Sequence, residues 1–165
     1  MSDPTAKRGR SSTVIATRVN WLGNRLVTTA SATYGQIGLG FLDARLLLLL
    51  GRRPEITAAR IAEILGVDAA AVSRAVKSLK ARRLIAEARG PLRSLSLTDE
   101  GKAIWHQIEK ISDEREVRLL RGFSEDEGEQ VLNYLSRMLD NMAEVALLAE
   151  QVQEIIGGRV PETVG

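Results

Sequence analysis

Residues 57–79, with the sequence TAARIAEILGVDAAAVSRAVKSL, decide the fold that we expect for this chain. Thr57 is a good N-cap for a helix that ends before Gly66, a residue type that commonly follows a helix end. Asp68 can then cap a second helix that runs to about Arg82. The first helix is expected to turn inward the apolar residues Ile61, Ala62, Ile64 and Leu65.

The second of these helices has two chemically different faces. Its inner face is formed by the apolar residues Ala71, Val72, Ala75, Val76 and Leu79. Its outer face carries the polar and basic residues Ser73, Arg74, Lys77 and Lys80. Two short helices that cross through small residues at a glycine turn are typical of a helix-turn-helix motif. An ordinary helical hairpin is the alternative, and the outer face argues against it because no acidic residue interrupts it.

An arm and two helices are expected before this motif. Residues 1–12 are basic and contain proline and glycine, which predicts a flexible arm. Residues 13–40 hold a long helix and a glycine-rich connection, and the apolar row of that helix is Ile15, Val19, Leu22, Leu26 and Ala30. The glycines resemble a phosphate-binding loop only weakly because no strand precedes them. Residues 41–51 are apolar almost throughout, which predicts a short buried helix.

A small β-hairpin is expected after the motif. Residues 84–87 and 92–98 are interpreted as its strands, because the residues between them, Arg89-Gly90-Pro91, are typical of a turn. The second strand is expected to alternate buried leucine with exposed serine, at Leu95 and Leu97 against Ser94 and Ser96.

Residues 99–156 are expected to form long helices, followed by a frayed tail at residues 157–165. Thr98 and Asp99 begin a helix that reaches about Arg121, and Ser124 caps a last helix with an acidic first turn. The last helix has one apolar row at Val131, Leu135, Met138, Met142, Val145 and Ala149, and a second at Leu132, Leu139 and Ala146. An apolar face of that width indicates contact with two neighbours.

Composition narrows the class of function. The 165 residues carry a net charge of +2, but residues 1–95 hold 16 basic and 6 acidic side chains, against 7 and 15 in residues 96–165. The basic part is expected to face a polyanion, either nucleic acid or anionic lipid, and chance surface variation is the alternative. With no cysteine and one histidine, His106, we expect no metal site, no cofactor and no enzyme activity.

The compartment is expected to be the cytoplasm. Residues 1–10 are polar and basic and no apolar signal segment follows them. The most apolar run, residues 41–50, is far shorter than the roughly 20 residues that a membrane span needs. No membrane partner is therefore expected.

The outer face of the second helix suits the major groove of double-stranded DNA. Arg74 is expected to read a base edge, with Ser73 beside it, because arginine can donate two parallel hydrogen bonds to guanine. The other expected DNA contacts are Thr57, Ala69 and Ala70 near the helix starts, Lys77 and Lys80 at phosphates, and Arg89 and Arg93 beside the hairpin turn. A solvated surface charge is the alternative for any of the basic residues.

Several motifs together resemble the MarR family of bacterial transcriptional regulators. They are residues 84–87 (LIAE), residues 95–101 (LSLTDEG), residues 120–127 (LRGFSEDE) and the pair Ser73-Arg74 in the recognition helix. The resemblance covers roughly residues 15–148. It implies a winged helix-turn-helix lobe at residues 41–98, a homodimer, and repression that a small ligand relieves.

The chain departs from that family at two places. The hairpin is several residues shorter than the family's wing, which leaves open whether it contacts the minor groove. Arg83 stands where the family usually has glycine. Because a residue with a Cβ tolerates positive φ poorly, we expect the turn at Arg83 to be built differently.

The resemblance also implies where the dimer and ligand contacts lie. The dimer is expected to form through Ile15, Val19, Leu22, Val131, Leu135, Met138, Met142 and Val145. A small aromatic or carboxylate effector is expected to contact Trp21, Arg25, Tyr34 and His106. The alternative is that Trp21 and Tyr34 are core or dimer contacts.

The sequence thus predicts a mainly α fold with a small β-hairpin wing, in which a winged helix-turn-helix lobe carries long N- and C-terminal dimerisation helices. The predicted function is that of a homodimeric repressor that reads a pseudo-palindromic operator, with its recognition helices about 34 Å apart. Two alternatives remain open. One is a winged-helix module that binds protein, and the other is an architectural protein that binds DNA without sequence preference.

Overall fold

The computed structural model describes residues 11–88 and 93–155 of the chain. Its elements are α1 (Ser11–Gly35), α2 (Phe41–Arg52), β1 (Ile56–Thr57), α3 (Ala58–Leu65), α4 (Ala69–Ala81), β2 (Ile85–Glu87), β3 (Ser94–Leu97), α5 (Asp99–Leu119), α6 (Glu125–Asp140) and α7 (Met142–Ile155). The chain divides into two compact units, and the boundary lies after Glu114 within α5. Seven helices and one small antiparallel sheet in the described ranges confirm the predicted fold class.

Helix α2 forms the centre of the core of the first unit. Helices α1, α3 and α4 and strand β3 all pack against it. The largest fully buried side chains of this core are Leu46, Leu47, Leu50, Ile61, Val72, Leu79 and Ile108. A helix that is apolar on nearly every side is stable only when neighbours cover it. The burial of α2 therefore confirms the prediction, and it makes α2 the support on which α3 and α4 rest.

The three strands form an antiparallel sheet in the order β1-β3-β2. The hairpin of β2 and β3 was predicted, whereas β1 was not, because two residues show no periodicity of their own. Strand β3 is central. Its Ser94 pairs with Thr57 of β1 on one side, and on the other side the Ala88 amide donates a hydrogen bond to the Ser94 carbonyl (2.8 Å). The expectation that Ser94 faces solvent is wrong, since neighbours on both edges leave it only 7% exposed.

Helix α3 buries fewer apolar residues than the sequence predicts. Ile61 is fully buried and Ala62 and Leu65 are half-buried, but Ile64 is 36% exposed. At 3.6 residues per turn, Leu65 lies almost directly above Ile61 with Ala62 on one flank, while Ile64 lies on the opposite flank. The prediction that Ile64 faces the core is therefore wrong.

The turn between α4 and β2 also differs from expectation. Arg83 has a φ of 59°, in the left-handed region that favours glycine. Its amide donates to the carbonyl of Lys80 (2.9 Å), and its own carbonyl accepts a hydrogen bond from the Thr98 hydroxyl (2.6 Å). The expectation of a differently built turn is wrong, because these hydrogen bonds hold Arg83 in the conformation that glycine would adopt more easily.

The second unit comprises the end of α5 together with α6 and α7. Helix α6 begins, as predicted, with a capping box in which Ser124 accepts from the Glu127 amide and Glu127 accepts from the Ser124 amide (2.8 Å). The prediction of one continuous last helix is wrong, because Asn141 ends α6 and α7 begins at the next residue. Asparagine is a weak helix former because its side chain competes for backbone hydrogen bonds.

The predicted terminal segments lie almost wholly outside the described residues. Of the arm at residues 1–12, Ser11 and Ser12 belong to α1, and the tail at residues 157–165 is outside the described ranges. The connection between α1 and α2 is a turn, as predicted, in which the Leu39 amide donates to the Tyr34 carbonyl (3.1 Å). In the described part of the chain, no helix has the length and apolarity that crossing a membrane requires.

Candidate nucleic-acid interface

Local hydrogen bonds place the start of helix α4. Gly66 adopts a φ of 61°, and its amide donates to the Glu63 carbonyl (3.2 Å). The Asp68 carboxylate accepts hydrogen bonds from the amides of Ala70 (3.1 Å) and Ala71 (3.0 Å). These bonds favour the ionised carboxylate and hold the pKa of Asp68 below its ordinary value. The predicted glycine turn and the predicted cap are both confirmed.

Helix α4 buries one face and exposes the other. The buried residues are Val72, Ala75 and Leu79. Five residues of α4 are both exposed and predicted to contact DNA. We call them the recognition face: Ala69, Ala70, Ser73, Arg74 and Lys77. The structure thus places one hydroxyl and two cations on a single solvent-facing side, next to two alanines that allow close approach at the start of the helix. Such a face can donate hydrogen bonds to base edges and phosphates.

Three charged residues lie where α4 meets the wing, and we call them the wing cluster: Lys80, Glu87 and Arg93. The Nζ atom of Lys80 is 2.6 Å from Oε1 of Glu87 at the end of β2. The hydrogen bond and charge of Lys80, followed by the charge of Arg93, lower the pKa of Glu87. Lys80, which the sequence predicts as a phosphate contact, is therefore ion-paired in the free protein. Glu87 was not singled out, because its partner is seven positions away on another element.

The two remaining predicted DNA contacts are Thr57, which the structure describes, and Arg89, which it does not. Thr57 is half-buried, and its hydroxyl accepts a hydrogen bond from the Arg60 amide (3.3 Å), so it caps α3 as predicted. The hydroxyl retains a hydrogen that it can donate. Arg89 lies outside the described residues, in the segment of sequence between β2 and β3.

The structure gives the predicted effector contacts different surroundings. Trp21 is 63% exposed and lines an open surface cavity of about 420 Å³ with Asn24 and Arg25. Tyr34 is instead a core residue at 4% exposure. His106 is exposed, and its ring centroid lies 4.6 Å from that of its neighbour Trp105. Within the described ranges, no three acidic or histidine side chains are grouped as metal ligands.

Comparison with known proteins matches part of the chain to one family. The model of the MarR family matches residues 37–93, the segment that holds α2, α3, α4 and strands β1 and β2. The crystal structure of a MarR/EmrR family transcriptional regulator from Acinetobacter sp. ADP1 matches this chain with a TM-score of 0.74. The two are 28% identical, and the match covers 81% of this chain and 97% of that one. These matches support a MarR-family winged-helix regulator.

Two further solved structures share the fold. S. aureus MepR, solved in a complex with DNA, is 22% identical, with a TM-score of 0.67 and coverage of 77% of this chain and 95% of that chain. A putative MarR family regulator from Listeria monocytogenes, solved with a 26mer DNA, is 17% identical, with a TM-score of 0.72 and coverage of 88% and 97%. No curated protein matches this chain. Members of the MarR family are transcriptional regulators, which confirms the prediction that the chain is not an enzyme.

Two arginines that the sequence did not single out connect the helix-turn-helix unit to the chain before it. Arg45 of α2 donates a hydrogen bond through Nη2 to the carbonyl of Leu65 at the end of α3 (3.1 Å). Arg82, just after α4, donates through Nη1 to the carbonyl of Gly38 in the connection between α1 and α2 (3.1 Å). The end of α3 and the end of α4 are thereby each tied to the segment that precedes the helix-turn-helix unit.

Burial changes the acidity of the charged groups on α2. It lowers the pKa of the Arg45 guanidinium, which also lies 5.4 Å from the centre of the Phe41 ring. It raises the pKa of Asp43, although the Gly40 amide and the charge of Arg82 act in the opposite direction. The sequence could have indicated that Asp43 and Arg45 have a structural role, because they are the charged positions in an otherwise apolar run.

Proposed function

We propose that this MarR-family protein is a cytoplasmic, homodimeric transcriptional repressor that binds a pseudo-palindromic operator. The observation that carries the proposal is the recognition face, where Ser73, Arg74 and Lys77 are exposed on a helix whose two ends are anchored. The DNA complexes of the S. aureus and Listeria relatives support the same role.

Each residue of the recognition face has a role that follows from its chemistry. Arg74 reads guanine through two parallel hydrogen bonds, and Ser73 adapts to the neighbouring base edge. Lys77 neutralises a phosphate and contributes to binding on every sequence. Ala69 and Ala70 let the start of α4 approach the bases. Thr57 donates to the DNA backbone, and Arg89 and Arg93 of the short wing contact the backbone or the adjacent minor groove.

The experiment that tests this proposal is selection from a random duplex library, followed by anisotropy titration of the selected site and a scrambled duplex over a salt series. Arg74→Ala should abolish the preference between the two duplexes. Lys77→Ala should weaken both complexes and reduce the salt slope by about 1 for each protomer. Lys110→Ala, which removes an exposed charge from α5, is the matched control and should change neither quantity.

The same titration separates the proposal from its two alternatives. Selection that enriches no sequence, with equal binding of all duplexes, would favour an architectural DNA-binding protein. Absence of binding to any duplex at low salt would contradict DNA binding and favour a winged-helix module that binds protein. Identical losses for Arg74→Ala and Lys77→Ala on every sequence would contradict the division of roles between these two residues.

Release by a small effector is part of the proposal, and Trp21 with Arg25 supports it. Their shared cavity offers an aromatic surface and a guanidinium, which suits a small aromatic carboxylate. A ligand can relieve repression only if it prefers a conformation that does not fit the operator. Addition of aromatic carboxylic acids to the operator titration should therefore weaken the complex of the unchanged protein but not that of Arg25→Ala.

A further inference from the structure

The wing cluster pairs a carboxylate with Lys80 and exposes it to the charge of Arg93, and both cations are predicted to contact DNA. The Glu87 carboxylate is hydrogen-bonded to the ammonium group of Lys80 at 2.6 Å, and the charge of Arg93 also acts on it. The side chains of Lys80 and Glu87 are 35% and 58% exposed, so both reach solvent. The acidic group therefore reduces the positive charge at the place where the last turn of α4 meets the wing.

Lys80 lies in the same row of α4 as two residues of the recognition face. Positions 73, 77 and 80 are separated by four and three residues, so they follow one another along one side of the helix. In that position Lys80 can neutralise a phosphate one turn beyond Lys77. In the free protein, however, its ammonium group is already neutralised by Glu87.

We infer that Glu87 competes with DNA phosphate for Lys80 and thereby lowers the affinity of this protein for every duplex sequence. The inference rests on the proposed function and adds a regulating residue to it. An exposed ion pair contributes little stability, so a phosphate can displace the carboxylate, but part of the phosphate's binding energy is lost in doing so. The charges that act on Glu87 are those of Lys80 and Arg93. The base-reading contact of Arg74 therefore keeps its strength while the sequence-independent contact is weakened.

Glu87→Gln tests this inference, since it removes the charge and keeps the shape of the side chain. We expect affinity for the operator and for a scrambled duplex to rise by the same factor, about two- to fivefold for each protomer at ~0.1 M salt. The salt slope should steepen by up to about 0.9 for each protomer, because Lys80 then contacts phosphate in every complex, whereas in the unchanged protein Glu87 retains it in part of them. The ratio of the two affinities should not change.

Two controls separate release of Lys80 from a general effect of charge. Glu63→Gln makes the same charge change in an ion pair of α3, where Glu63 is 67% exposed and pairs with Arg60. It should change affinity less than about twofold. In a Lys80→Gln background, Glu87→Gln should also have little effect. An equal increase in either control would assign the effect to net charge and overturn the inference.

Failure of the inference can be distinguished from failure of the proposed function. An unchanged protein that binds no duplex at low salt contradicts both. An unchanged protein that binds DNA, while Glu87→Gln leaves affinity and salt slope unaltered or lowers the affinity, contradicts the role of Glu87 alone. Equal thermal midpoints for the two proteins would show that the substitution has not disturbed the fold.

Discussion

Two residues with a Cβ atom, Glu55 and Arg83, adopt left-handed backbone conformations with φ of 61° and 59°. Such a conformation costs roughly 1 kcal/mol or more for an L-residue because its Cβ approaches the following carbonyl oxygen. The Leu84 amide, which donates to the Leu79 carbonyl (3.0 Å), fixes the turn at Arg83 from its other side. Hydrogen bonds within the turn, together with the one from the Thr98 hydroxyl to the Arg83 carbonyl, therefore outweigh the conformational preference of Arg83.

Replacing Arg83 with glycine should stabilise the protein relative to Arg83→Ala by about 1 kcal/mol in the free energy of unfolding. Glycine adopts positive φ without the Cβ contact, whereas alanine removes the same arginine side chain and retains the strain. Urea unfolding of the two variants, followed by circular dichroism, measures the difference. If the glycine variant is no more stable than the alanine variant, the turn is not strained.

At the scale of the elements, side-chain caps determine where three helices begin. Thr57, Asp68 and Ser124 each accept a hydrogen bond from a backbone amide in the first turn of α3, α4 and α6. The cap at Asp68 matters most for function, because it defines the first residues of the recognition face. It also titrates, so its contribution to stability depends on pH.

The stabilising effect of Asp68 should be present near neutral pH and disappear in acid. Its pKa in the folded protein lies below the ordinary value of 3.8, so the ionised cap favours folding above that pH and is lost as the pH falls through the folded-state pKa. Asp68→Ala should lower the thermal midpoint by about 2 to 4 °C near pH 7. Asp68→Asn, which keeps an acceptor but does not titrate, is the control.

Thermal midpoints of the three proteins from neutral pH to about pH 3 provide the measurement. The difference between the natural protein and Asp68→Asn should narrow as the pH decreases below 3.8. A difference that stays constant over this range would mean that ionisation of Asp68 does not stabilise the start of α4.

At the scale of the whole molecule, the chain exposes rows of apolar side chains. Seven of these exposed apolar residues belong to the set predicted to form the dimer: Ile15, Val19 and Leu22 on α1, and Leu135, Met138, Met142 and Val145 on α6 and α7. Val131, the other member of that predicted set, is half-buried. Exposed apolar surface of this kind typically marks a protein-binding surface. It supports the proposal of a homodimer, which stays a prediction.

Leu135→Glu should convert the proposed dimer to a monomer, because it places a charge within an apolar row of α6. Affinity for the operator should then fall by about 100-fold or more, since a monomer carries a single recognition helix. Analytical ultracentrifugation and anisotropy titration measure the two effects. Ser136→Glu introduces the same charge at the exposed neighbouring position and should leave both unchanged. Sedimentation of the natural protein as a monomer would contradict the proposal.

The sequence by itself determined the features that depend on a few neighbouring residues. The glycine turn at Gly66 and the caps at Thr57, Asp68 and Ser124 were predictable because each is made by groups within three or four positions. The buried faces of α2 and α4 were predictable because the helical period repeats the apolar residues on one side. The exposed side of α4, and with it the recognition face, followed from the same period.

The tertiary structure alone decided the features that join distant segments. The Lys80–Glu87 pair, the hydrogen bond from Arg45 to the Leu65 carbonyl, and the pairing of Thr57 with Ser94 each depend on how separate elements pack. Their free energy comes from contacts that exist only after the core around α2 has formed, so no local pattern reports them. For the same reason the sequence predicted Lys80 as a free phosphate contact, whereas the folded chain pairs it with a carboxylate.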